Sequence, residues 1–143
     1  MTEKDVRKLP VIVSKNLFRK LDINAKRSEL AETMDGDIIR RLQAAADQSG
    51  VAVVGSFICW SQEPGTRSQD NVRLVNRGFM IKPNAHIEIQ DKRHLYAHGG
   101  EDLFFQPAEK RHIFEYKGVK ILLLVCYDLR FPVWARIQSG NDY

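Results

Sequence analysis

The chain has 143 residues, 43% of them hydrophobic and 28% charged, the balance of one globular domain or part of one rather than of a disordered or fibrous chain. Its 22 Lys and Arg against 18 Asp and Glu leave a net charge of +4, with the positive residues spread along the sequence and not clustered between aromatic ones, which disfavours a nucleic-acid partner. The longest aliphatic run, Ile121 to Val125, falls far short of the ~18 residues a membrane span needs. The opening Met-Thr-Glu-Lys-Asp-Val-Arg-Lys lacks a signal peptide's apolar core, so a cytoplasmic protein with no membrane association is expected, its two cysteines, Cys59 and Cys126, reduced.

Residues 1–28 contain Pro10 and a short apolar stretch, Val11 to Val13, but no clean period, and they read as a divergent N-terminal segment. From Ser28, Leu30, Met34, Ile38, Leu42 and Ala45 or Ala46 recur at steps of three and four, the stripe of an amphipathic helix. Gly36 interrupts it, so the helix proper begins near Asp37, whose side chain suits a cap, and Gly50 stops it. Val51 to Cys59 is mostly apolar and valine-rich, which predicts a strand buried on both faces, and Ser61 to Asn71 reads as a turn or loop. Val72 to Ile81 and His86 to Gln90 predict two further strands, with a long aperiodic stretch, Asp91 to Lys110, behind them. Ile113 to Tyr116 and Val119 to Val125 predict a hairpin around Lys117-Gly118, and the second strand runs into Cys126, with Pro132 placed to open a helix.

A cysteine where a buried strand turns towards a helix sits near free backbone amides and a helix dipole, which favour a thiolate and can receive a developing oxyanion. Taken alone, a cysteine after Leu-Leu-Leu-Val is more often a small core residue. Cys59, beside Trp60, reads as structural. Lys92, in Asp91-Lys92-Arg93-His94-Leu95, can hold an oxyanion if the fold brings it to the thiol, or can be a solvated strand-end lysine. Glu101 can orient that lysine or move protons, or be an ordinary loop acid. His94 and His98 stand four apart, but no third ligand has suitable spacing, and no metal site is expected. Asp128 and Arg130 suggest local ion pairs, and Phe104, Phe105, Phe131 and Trp134 suggest core.

Asp91-Lys92-Arg93-His94-Leu95 and Val125-Cys126-Tyr127-Asp128-Leu129-Arg130-Phe131-Pro132-Val133-Trp134 resemble the nitrilase superfamily of carbon-nitrogen hydrolases, and within it bacterial omega-amidase-like enzymes. The resemblance runs over residues 29–143. It implies an α/β fold of the α-β-β-α sandwich type, of which this chain is part, and a Glu-Lys-Cys triad with no metal or organic cofactor. It also implies that Cys126 attacks the amide carbon of a small-molecule linear amide while Lys92 and the Tyr127 backbone amide stabilise the oxyanion, before water hydrolyses the thioester. Glu101 corresponds to an additional glutamate that supports the lysine and the substrate, and a homodimer is implied as well.

One position departs from the family pattern. Where the family carries a general-base glutamate in a Leu-Pro-Glu type motif, this chain has Leu9-Pro10-Val11, and the general base is left unknown. Neither Glu29 nor Glu32 replaces it. The expectation is therefore an omega-amidase-like hydrolase with impaired proton transfer or, alternatively, a non-catalytic remnant or interaction module of the same fold. As an incomplete domain it is also expected to expose a wide apolar sheet face, with poor solubility, self-association or partial disorder as the result.

Overall fold

The computed structural model describes residues 23–61 and 73–137. The Val11 to Val13 stretch and most of the Ser61 to Asn71 loop lie outside them. Two helices, α1 (Ile23–Leu30) and α2 (Asp37–Ser49), precede three strands, β1 (Val53–Ser61), β2 (Arg73–Ile81) and β3 (Glu88–Asp91). Two 3-10 turns follow, Ala97–Gly99 and Glu101–Leu103, then the strands β4 (Ile113–Tyr116) and β5 (Val119–Leu122), the 3-10 turn Cys126–Arg130 and the short helix α3 (Pro132–Ala135).

The amphipathic stripe is real from Asp37 onward but does not form one helix back to Ser28. α1 ends at Leu30, and the next residues add to the free edge of β1, where the Glu32 N–H donates to the Ile58 carbonyl (3.0 Å) and Trp60 N–H to the Glu32 carbonyl (2.9 Å). Asp37 does not cap α2. The carboxylate that reaches the helix start is Glu32, which accepts from the Ile38 N–H at 3.2 Å, while Asp37 pairs with the exposed Arg40. Gly50 ends α2 in the left-handed conformation (φ 67°), its N–H on the Ala46 carbonyl.

The strands β1, β2 and β3 form one antiparallel sheet in that order, with Val53 opposite Ile81 and Arg77 opposite both Phe57 and Asp91. The expected double-sided burial belongs to β2 rather than to β1. Along β1 only Ile58 and Cys59 are buried, whereas β2 is buried at Leu74, Val75 and from Arg77 to Ile81 because it is the central strand. α2 covers one sheet face, with Ile39 and Ala46 against Phe79 and Ile81. A second cluster, Ile58, Leu74 and Phe105, lies on the opposite side of the pleat. Phe105 is thus core as expected, but Phe104 is exposed, and Phe131 and Trp134 are half-buried.

β4 and β5 pair as a separate hairpin, turned by Lys117 (φ 51°) and Gly118 (φ 76°), both left-handed as a tight hairpin turn of the right twist requires. β5 ends at Leu122, three residues before the expected end. The chain beyond it crosses the sheet at Gly78, where a Cβ would stand 2.7 Å from Val125 Cγ2 and 2.8 Å from Leu123 Cδ2. Helix on one face and returning chain on the other make part of the layered helix–sheet–sheet–helix arrangement. The buried Gln90 ties the hairpin to β3: its Oε1 accepts from the His112 N–H (2.8 Å) and its Nε2 donates to the Lys110 carbonyl (3.3 Å).

Candidate active site

Lys92 follows β3 directly, and its backbone is fixed on both sides, N–H to the Asn76 carbonyl (2.9 Å) and carbonyl to the Ala108 N–H (2.9 Å). Its side chain is 0% exposed, so the ammonium needs a partner to stay charged. Glu101 supplies it, with Nζ 2.9 Å from Oε1 and 2.6 Å from Oε2. Glu101 Oε2 also accepts from the Tyr96 N–H at 2.7 Å, so one carboxylate both neutralises the lysine and closes the loop that carries it. Gly100 permits the tight approach, its left-handed φ of 71° turning the chain from the first 3-10 turn into the second. The solvated-lysine and loop-acid alternatives therefore do not apply to this pair.

The strand that delivers Lys92 is braced separately. Arg77 holds Asp91, the residue before Lys92, through Nε–Oδ1 (2.7 Å) and Nη2–Oδ2 (2.9 Å). Burial opposes the Arg77 charge, but the Asp91 hydrogen bonds and charge outweigh it and raise its pKa. Cys59 is fully buried with its Sγ 3.6 Å from Arg77 Nη1, and burial pushes its thiol pKa up. That is the environment of a structural cysteine.

Cys126 is exposed and opens a 3-10 turn, and the helix expected from Pro132, α3, spans four residues. Its φ is 53°, a left-handed conformation rare outside glycine. Such strain is found where surrounding structure over-determines the backbone. Within the turn the Asp128 N–H bonds back to the Val125 carbonyl (3.2 Å).

With His94 as its charged-group partner, Asp128 makes no local ion pair with its chain neighbours at the turn. It is 0% exposed, and its carboxylate accepts from the Val125 N–H (3.2 Å), the Arg93 N–H (3.2 and 3.3 Å), the His94 N–H (2.7 Å) and His94 Nδ1 (2.9 Å). An ionised carboxylate only accepts, so Nδ1 carries the hydrogen. The His94 ring stacks on Phe131 (3.7 Å, 7°) and meets Trp134 edge-on (5.7 Å), while Tyr127 contacts Tyr96 (5.1 Å) and Phe131 (5.4 Å). The lysine segment and the cysteine turn are thereby interlocked by rings and by hydrogen bonds. The sequence reading weighs Asp128 only as a local ion pair and His94 only as a metal ligand, and neither reading finds the bond between them; the available signal was an acid two residues after the cysteine.

His94 and His98 do not share a ligand set, since His94 is bound to Asp128 and His98 stands beside Tyr96. Among the described residues no group of three or more His, Cys, Asp or Glu is placed to hold a metal ion, and no helix is long and apolar enough to cross a membrane.

The turn that carries the exposed Cys126 is thus tied through Asp128 to the segment that carries Lys92, within a layered α/β frame. Residues 20–142 match the carbon-nitrogen hydrolase family, and the chain belongs to that family. It is 34% identical over 143 residues to omega-amidase YafV of Escherichia coli (strain K12), covering 100% of this chain and 49% of that protein. It is 27% identical over 135 residues to 2-oxoglutaramate amidase of Bacillus subtilis (strain 168), covering 94% of this chain and 49% of that protein. The chain thus spans about half the length of the curated relatives it matches. Among solved structures it is similar to XC1258 from Xanthomonas campestris, a CN-hydrolase superfamily protein with an arsenic adduct in its active site (TM-score 0.66, 34% identity, 79% of this chain and 39% of that one). It also resembles a variant of the amidase from Nesterenkonia sp. AN1 that carries acrylamide at its active-site cysteine (TM-score 0.50, 25% identity, 66% and 35%).

Proposed function

We propose that this chain carries the nucleophile half of an omega-amidase-like site, which hydrolyses small linear amides through a cysteine thioester. The observation that carries the reading is the exposed, left-handed Cys126 on a turn locked to the segment that bears the buried Lys92–Glu101 pair. In this reading the Cys126 thiolate attacks the amide carbon, and the oxyanion is met by Lys92 Nζ and the Tyr127 N–H. The carbon–nitrogen bond then breaks as the leaving nitrogen takes up a proton, and ammonia departs. Water adds to the thioester, the carbon–sulfur bond breaks, and a carboxylic acid is released with the thiol regenerated.

Glu101 holds Lys92 in place through their ion pair. The names of the relatives support omega-amides of dicarboxylic acids and their keto analogues as the substrate class. Residues 29–143 act in this proposal as one partial domain, in the cytoplasm and as a homodimer. Val11 stands where the family has its general base, so proton transfer is expected to be slower by ~10² to 10⁴-fold than with that carboxylate in place.

Ammonia release from a panel of omega-amides tests the reading, with Cys126→Ala alongside and circular dichroism to verify folding. Release that disappears in Cys126→Ala is the expected result; release that survives it overturns the mechanism. A folded chain silent on every amide, with Cys126 no more reactive to thiol reagents than a free cysteine, favours the second reading, a non-catalytic remnant of the fold, which Val11 motivates.

A further inference from the structure

We propose that Asp128 is the positioning residue that sets the nucleophile against the lysine, with His94 as its side-chain partner. The proposal rests on the reading of Cys126 and Lys92 given above and extends it to a group that touches neither substrate nor reacting atom. Asp128 accepts from two segments far apart in sequence: the Val125 N–H three residues before it, and the Arg93 and His94 N–H groups 35 and 34 residues before it. Each contact falls next to the chemistry, since Arg93 follows Lys92 and Val125 precedes Cys126. A single buried carboxylate thereby fixes the separation of the two groups on which the oxyanion depends.

The donor count explains why an aspartate is required. A carboxylate offers about four lone-pair positions. Four N–H groups claim them here: Val125, Arg93, His94 and the His94 ring. Its side chain is fully buried, so water cannot replace a missing bond. Asparagine has nearly the same shape but only one carbonyl oxygen. In either orientation its NH2 group faces an N–H: with the amide oxygen in the place of Oδ1 the Val125 N–H loses its acceptor, and with it in the place of Oδ2 the His94 N–H does. His94 adds rigidity, its ring clamped between the Asp128 carboxylate and the Phe131 face.

The decisive measurement compares wild type, Asp128→Asn and His94→Leu by the rate of Cys126 alkylation with iodoacetamide at neutral pH and by kcat and KM for the best omega-amide. Cys126 is exposed and Cys59 buried, so alkylation of the folded protein reports on Cys126 whether or not the chain turns over amides. Asp128→Asn is expected to slow alkylation at least tenfold and to lower kcat about a hundredfold with KM within threefold, the pattern of lost alignment rather than lost binding. His94→Leu, which keeps an apolar contact with Phe131, is expected to lose three- to tenfold in both rates. Ile39→Ala, in the α2 cluster, is the stability control and should leave alkylation within twofold.

A folded Asp128→Asn with wild-type alkylation and kcat overturns the proposal. If that variant does not fold, unchanged rates in His94→Leu overturn it equally. Ammonia release with no effect of either variant sinks the positioning role alone. Altered alkylation without ammonia release from wild type supports the role and sinks the hydrolase reading instead.

Discussion

At the scale of single residues, the site concentrates costs that only a specific arrangement offsets. Lys92 is an ammonium out of contact with water, held by a carboxylate that is 21% exposed. Lys92→Met should lower stability in urea denaturation by about 2–3 kcal/mol, because Glu101 is left without its counter-charge, and should abolish measurable turnover. Cys126 bears a different cost. At φ 53° any side chain is disfavoured, so Cys126→Gly should be more stable than Cys126→Ala by about 1 kcal/mol, a comparison calorimetry can make. Cys59 offers a pH test. Burial raises its thiol pKa in the folded state above the ordinary 9.0, so the folded form binds that proton more tightly than the unfolded chain. The resulting stabilisation is fully present below pH 9.0 and declines as the pH rises beyond it. Chemical denaturation of wild type should show that decline, and Cys59→Ala should lack it.

At the scale of elements, the joint between β2 and the nucleophile is the tightest. Gly78→Ala places a methyl group 2.7 Å from Val125 Cγ2 and 2.8 Å from the Gln90 carbonyl, the latter rigid backbone. A loss of about 1–3 kcal/mol in urea denaturation is expected, with slower Cys126 alkylation because Val125 is its neighbour. Elements whose signals are local were legible: the α2 stripe and its Gly50 stop, the Lys117-Gly118 turn, and Pro132 at the first residue of α3. What was not legible depends on partners remote in sequence. Nothing in Val51 to Cys59 says that β1 is a flank and β2 the centre, since order in a sheet follows from packing. Nor does the spacing of Asp91 to Lys110 show that Glu101 doubles back onto Lys92; the residues alone leave both an orienting carboxylate and an ordinary loop acid open. The local ion pair that the sequence suggests for Asp128 gives way to donors that lie 34 and 35 residues away.

At the scale of the whole molecule, the apolar surface is uneven. Leu129, Val133 and Ile137 recur at steps of four and are 75%, 63% and 62% exposed. Exposed apolar side chains in and just after the nucleophile turn favour association. Sedimentation of wild type should show concentration-dependent growth in mass that Leu129→Glu with Val133→Glu reduces. The Asp128 contacts have a further consequence, for the way this architecture tolerates change. They close a long excursion of chain, from His94 out through the 3-10 turns and the β4–β5 hairpin and back to Val125. The entropy of closing such an excursion grows only with the logarithm of its length, so doubling it would cost about 0.6 kcal/mol. The exposed Lys117-Gly118 tip is therefore a place where the fold can accept inserted sequence, and with it new contacts to substrate or partner, while the residues that meet at Asp128 stay where they are.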